Sequence, residues 1–361
     1  MLQRTYRPRP RHDFAESHNF AKSNNMKILI TTGIYPPKIG GPAQYAKNLK
    51  ESFEKMGQIV GVKTYGIEDS LPTGIRHLFF FLKIIREVLK SDVVFALDTF
   101  SVGLPSVLAC KILNRKCIIR TGGDFLWEQY CERHDKKVLL NNFYQTEIPN
   151  FSLKEKIIFL VTRWTLNNTS KIIFSTEWQR NIFINAYNLK KEHTCIVENY
   201  YGEKESDFGF DSKTFIASAR DLKWKNFDIL KKVFNKINAE NKEVMLFTDN
   251  LPYQEFIKKM STAYAVVLVS LGDISPNMIL DAIRLNRPFI CTKEVGIYER
   301  IKDAGTFVDP LNENEIEEVI LNILTEEGYK KAKEKVRSFN FVHTWDQIAQ
   351  EFLNVFNSLK L

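Results

Sequence analysis

LVSLGDISPNMILDAIRLNRPFI, residues 268–290, holds one whole unit of the fold. An apolar strand runs into a loop carrying Asp273, a helix opens at Pro276 and bears Asp281, and a second apolar run follows at Pro288–Thr292. Both apolar runs are short and continuous rather than alternating, as in strands covered on both faces. A helix between two such strands makes a parallel crossover. The two carboxylates flank the helix start. One could cap the helix and the other could be solvated, or both face a cleft and hold something polar. In open parallel sheets, ligands sit beyond the C-terminal ends of strands, and Asp273 lies at such an end.

The same alternation runs outward in both directions. MKILITT (26–32), IVGVKTY (59–65), DVVFAL (92–97), CIIRT (117–121) and KIIFS (171–175) form one series of strands with helical stretches between them. TFIASA (214–219), EVMLFT (243–248), AVVLVSL (265–271) and PFICT (288–292) form a second. ENYYGEKESDFGFDSK, residues 198–213, separates the series as a polar, glycine-containing linker. The expectation is α/β: two Rossmann-like, doubly wound domains facing across a cleft, at 26–198 and 199–343. A length of 361 residues suits two domains.

Composition is that of a globular enzyme, 44% hydrophobic and 26% charged with net charge +8. Residues 1–25 carry Arg4, Arg7, Arg9, Arg11 and Lys22 against Asp13 and Glu16. They read as a flexible basic extension without the apolar core of a secretory signal. No block of like charge is long enough for a nucleic-acid tail. The five cysteines show no CxxC spacing, so a reduced, cytosol-like compartment is expected and no zinc site. No apolar run reaches the length of a membrane span. The helical stretch 75–90 is basic and rich in Phe. It suits the face of an anionic membrane, and equally a helix packed on the sheet with snorkelling cations.

Three loops after strands hold candidate site residues. Gly40 and Gly41 precede Pro42 at a helix start; they allow close backbone approach to an anion, or serve a tight turn. Asp124 follows Gly122-Gly123 and either positions a polar acceptor or caps the next helix. Thr176 is expected to cap through the amide of Gln179. Arg220 and Lys225 bracket a strand-to-helix turn, as a clamp for pyrophosphate or as solvated charges. A basic wall facing the acidic Asp273 loop would suit a ligand with phosphates at one end and hydroxyls at the other, as in a nucleotide sugar.

Together these segments resemble the family-4 retaining glycosyltransferases of GT-B fold, from Met26 to the end. MKILITTGIYPPKIGGPAQYAKNL is similar to the opening strand and glycine loop. ARDLKWKN (219–226) resembles the G-R-L-x-x-x-K-N motif, and SLGDISPNMILDAIRLNRPFI resembles the E-x7-E segment. GIYERI, VDP and FNFVHTWDQIAQEFLNVFNSL match later landmarks. The resemblance implies a retaining, metal-independent hexosyl transfer from a UDP- or GDP-sugar to a glycan or lipid-linked acceptor in polysaccharide or glycoconjugate assembly. It implies no cofactor, the nucleotide sugar being a substrate. Arg220 and Lys225 would bind the pyrophosphate, Asp273 the transferred sugar, and Asp281 the ribose. Gly40, Gly41, Pro276 and Asn277 would line the donor, with Asp124 beside the chemistry. The resemblance also implies a helix at 344–361 returning to the first domain. The expected place is cytoplasmic, at the inner membrane face, with no nucleic-acid partner.

The chain departs from the family's pattern in several places. Both acids are Asp where Glu is usual, Ala219 stands for a glycine, and ISP (274–276) replaces GFP. GGDFLWE (122–128) stands where a histidine is frequent. An inactive domain serving as a binding partner in a glycan-assembly complex, and a nucleotide-sugar epimerase, are the alternatives.

Overall fold

β1, Lys27–Thr32, is buried at every position after the first. Its side chains alternate between two cores, Ile28 and Ile30 entering one and Leu29 the other. The computed structural model describes residues 25–38, 40–217, 222–240, 244–249 and 251–359, and β1 is its first element. α1 (Gly41–Lys55), β2 (Ile59–Thr64), α2 (Thr73–Lys90), β3 (Val93–Ala96) and α3 (Gly103–Ile112) follow. Then come β4 (Lys116–Arg120), α4 (Phe125–His134), α5 (Leu140–Thr146), α6 (Leu153–Asn168), β5 (Lys171–Phe174), α7 (Glu177–Tyr187) and β6 (Thr194–Ile196). Among the described residues these strands form one parallel sheet in the order β2-β1-β3-β4-β5-β6.

The second half repeats the plan. It comprises β7 (Lys213–Ile216), α8 (Phe227–Glu240), β8 (Val244–Phe247), α9 (Tyr253–Ser261), β9 (Ala265–Leu268) and α10 (Asn277–Arg284). β10 (Phe289–Thr292), α11 (Tyr298–Ile301), β11 (Thr306–Val308), α12 (Glu313–Leu324), α13 (Glu326–Ser338) and α14 (Trp345–Asn357) complete it. The described strands again run parallel, in the order β11-β10-β9-β7-β8. β6 and β11 were not foreseen. Each is three residues long at the rim of its sheet, too short for a periodicity to show. The expected strand at 214–219 ends at Ile216, and Ser218 and Ala219 lie outside the described residues.

α14 is opened by a reciprocal capping box between Thr344 and Gln347. Its apolar stripe, including Ile348, Phe352 and Phe356, packs in one core with Ile28 and Ile30 of β1 and Leu49 and Phe53 of α1. The last helix therefore belongs physically to the first sheet. The two chain crossings between the halves are zipped together, Tyr201 and His343 exchanging backbone hydrogen bonds at 3.0 Å each way.

Candidate active site

The site grows from two helix starts. α1 begins behind Gly40, whose φ of +154° favours glycine, and α10 begins behind Pro276. Neither cap residue supplies a side-chain acceptor, and neither first turn contains a carboxylate. Free N–H groups and the positive ends of both dipoles are thus left for an external anion. The two ends meet: a Cβ added to Gly41 would lie 3.0 Å from Asn277 Nδ2. The gap between the halves closes there because Gly41 has no side chain.

Lys225 supplies a side-chain cation. It is 7% exposed, its Nζ is 2.6 Å from Asp273 Oδ2 and 4.2 Å from the centre of the Trp224 ring. Asn226, in the left-handed region at φ 61°, turns the chain into α8. Its buried amide donates to the carbonyls of Val269 and Pro310, tying the Lys225 turn to the Asp273 loop. The sequence reading assigned no role to Asn226, although an Asn directly before a helix is the signal for such a turn. The backbone of Asp273 is held from the other side, its N–H donating to the carbonyl of Glu294 and its carbonyl accepting from Gly296. Arg220 lies outside the described residues.

Asp281 sits in the second turn of α10. It accepts hydrogen bonds from the hydroxyl of Tyr253 at 3.1 and 3.3 Å and faces Arg284 Nη2 at 3.1 Å. Burial pushes its carboxyl up to about 7, and the Tyr253 hydrogen bond draws it partly back. Arg284 is also ion-paired with Glu205. Tyr253 has no counterpart in the sequence reading; it reaches Asp281 from α9, and no local spacing reports that contact. A cavity of about 490 Å³ opens against Arg284, lined also by Tyr200, Lys204, Glu205 and Trp345.

Asp124 takes the capping alternative. It accepts from the amide of Trp127 at 3.1 Å and from the hydroxyl of Tyr144 at 2.8 Å, and it is 2% exposed. Burial raises its carboxyl to about 6. These contacts account for the residue, and it does not enter the machinery proposed below. Thr176 caps α7 through Gln179, whose side chain turns to Thr121 and the carbonyl of Gly122.

A residue absent from the sequence reading enters on the first-domain side. Arg120, at the C-terminal end of β4, is 8% exposed and lies 4.1 Å over the ring of Tyr45, with Nη2 2.5 Å from Asn199 Oδ1. A single arginine at the end of an apolar strand is a signal only once the strand end is known to face the cleft.

The halves are locked beneath this site. Trp224, Leu271 and Ile274 of the second half enter the core of the first, with Trp224 5.4 Å from Trp127. Lys137 reaches across to Asn226 Oδ1 and Asp228 Oδ2 at 2.8 and 2.7 Å.

The sequence matches no family model and no curated protein. The architecture does match solved structures. Sucrose-phosphate synthase from Thermosynechococcus elongatus superposes with a TM-score of 0.67 at 12% identity, over 93% of this chain and 99% of that one. Anabaena HepE in complex with UDP-glucose gives 0.63 at 15% identity, over 92% and 100%. WaaG, a glycosyltransferase involved in lipopolysaccharide biosynthesis, gives 0.62 at 12%, over 91% and 99%. The chain has the GT-B fold.

Proposed function

We propose that this GT-B chain is a glycosyltransferase that moves a sugar from a UDP-sugar to a hydroxyl of a glycan or lipid-linked acceptor. The observation that carries the reading is the convergence of two uncapped helix starts, at Gly41 and Asn277, with the paired Lys225 turn and Asp273 loop and with Asp281 on the second of those helices. A diphosphate satisfies those N–H groups and dipoles. Lys225 adds a cation, and Arg220 a second by its place in the sequence. Asp281 accepts hydrogen bonds from the ribose, and Asp273 from the transferred sugar. HepE, of the same fold, holds UDP-glucose and UDP in its structures.

In transfer, the bond from the anomeric carbon to the diphosphate breaks, and a bond from that carbon to the acceptor oxygen forms. The acceptor's proton is released and the nucleoside diphosphate departs. Negative charge develops on the leaving diphosphate, where the helix ends and Lys225 are already oriented. In this reading transfer retains configuration, and no metal is required because these fixed positive groups take up that charge.

Nucleotide-sugar titration followed by nucleoside diphosphate release tests the proposal. Thermal stabilisation by UDP-sugars with release of UDP is the expected result. Stabilisation without any turnover would leave a binding module, and conversion to an isomeric nucleotide sugar would leave an epimerase.

A further inference from the structure

α6 and α7 end at the same corner of the first half, and that corner is hollow. A cavity of about 370 Å³ is lined there by Leu160, Arg163, Trp164, Asn167 and Asn168 of α6 and by Asn188 directly after α7. The volume falls at the lower end of the range for small-ligand sites, about 300–1,000 Å³. α6 leads into β5 and α7 into β6, so the cavity lies beside the N-terminal ends of those strands. In a parallel sheet the candidate active site, at the C-terminal strand ends, is at the opposite pole. The two places are separate.

Some of the lining groups hold the corner together. Asn167 Nδ2 donates to the carbonyls of Arg163 at 2.9 Å and Tyr187 at 3.2 Å, which ties the two helix ends. Asn168 Nδ2 returns to the carbonyl of Trp164 at 2.8 Å, and its Oδ1 accepts from Lys111. Asn188 turns the chain in the left-handed region at φ 52°, which suits an Asn. These contacts leave a mixed set unspent. Among the described residues, the Arg163 guanidinium, the Trp164 indole N–H, Asn167 Oδ1 and both ends of the Asn188 amide have no hydrogen-bond partner. Leu160, 58% exposed, and Trp164, 38% exposed, add an apolar platform. No carboxylate and no ammonium lines the cavity.

We infer that this corner is a second carbohydrate-binding site, which holds a neutral hexose oligosaccharide away from the cleft. The unspent groups select the ligand. An anion would use only the donors and a cation only the acceptors, whereas a hydroxyl gives one hydrogen bond and takes others. A pyranose carries such hydroxyls around its rim and C–H groups on its face, so it matches an indole flanked by amides and a guanidinium. The inference goes beyond sugar transfer and rests on the glycan-acceptor reading only for its purpose. A long acceptor held at the corner has its growing end tethered to the molecule. Tethering raises the effective concentration of that end at the cleft without any new contact there.

The test is titration of the full chain with the hexasaccharides of glucose, mannose and galactose, without nucleotide sugar, followed by calorimetry and tryptophan emission. Saturable binding of at least one of them is expected. Trp164→Ala and Arg163→Ala/Asn188→Gly alter exposed side chains, and glycine preserves the left-handed turn. Each should weaken that binding by about tenfold or more at an unchanged melting temperature. Trp164→Phe keeps an aromatic platform, so it should retain most of the binding in calorimetry and lose the emission change. No saturable binding of any hexasaccharide, or undiminished binding by both Trp164→Ala and Arg163→Ala/Asn188→Gly, overturns the inference. So does a dimer in sedimentation equilibrium that Trp164→Ala dissolves, because the corner would then belong to a second copy. Oligosaccharide binding without any sugar transfer would overturn the enzymatic reading and leave this site standing; transfer without binding at the corner would do the reverse.

Discussion

Lys225 and Asp273 are paired at 2.6 Å in a site where both side chains are largely withdrawn from water. Removing one partner leaves the other desolvated and uncompensated, which costs about 1–3 kcal/mol or more. Lys225→Ala is therefore expected to lose stability as well as activity, which the sequence reading of a free phosphate ligand did not foresee. Lys225→Met/Asp273→Leu should regain part of the urea midpoint lost in either single variant while staying inactive. Additive losses would show that the pair is not coupled. Asp281 supplies a pH signature. Its folded carboxyl is raised to about 7 by burial, above the ordinary value of about 3.9 for an unfolded Asp. Between those values the native chain holds a proton that the unfolded chain has lost. Stability from this group is present below about pH 4 and declines until about pH 7. Asp281→Asn should lack that decline, measured as the difference between the two stability curves. Only ionised Asp281 accepts from both ribose hydroxyls, so donor KM should fall as pH rises through about 7 in the wild type. In Asp281→Asn, KM should be high and flat. A flat wild-type profile would remove the ribose role.

At the scale of elements, α1 and α10 matter for where they start. A Cβ at Gly41 would meet the Asn277 amide at 3.0 Å, and Gly41 carries no left-handed φ that would penalise a side chain. A larger residue there acts as a wedge between two helix ends and leaves the core of each half intact. Gly41→Leu should lower kcat/KM by about tenfold or more, roughly 1.4 kcal/mol at the transition state, with little change in melting temperature. Gly41→Ala should do less, because Asn277 can yield by a few tenths of an ångström. Equal activity in all three proteins would mean that the two helix ends do not act together. α14 illustrates the other use of an element: its capping box and heptad-like apolar stripe are legible locally, and its partner is not.

For the whole molecule, the shared core under the cleft is decisive. Trp224 is 5% exposed and sits among first-half residues, so the two sheets are not separable bodies joined by a tether. A single cooperative transition is expected on heating. Trp224→Ala should cost about 3–5 kcal/mol and split that transition in calorimetry, since its loss uncouples the halves and leaves each sheet its own core. One unsplit transition in the variant would show that the coupling lies elsewhere, at the Tyr201–His343 crossing.

Much of this was present in the chain itself. Short apolar runs alternating with helical stretches specify parallel sheets, because strands buried on both faces must be apolar throughout and each crossover needs a helix. That logic is local, so the two Rossmann-like halves, the loops bearing Gly40, Lys225 and Asp273, and the helix bearing Asp281 were legible without coordinates. Which side chains those loops meet was not. The hydrogen bond from Tyr144 to Asp124, the hydrogen bond from Tyr253 to Asp281, the placement of Arg120 over Tyr45 and the seating of Trp224 in the opposite half are contacts between residues distant in sequence. Such contacts leave no periodicity behind, because they are decided by how finished helices and sheets pack, within each half and between the halves, and only the tertiary structure carries that information.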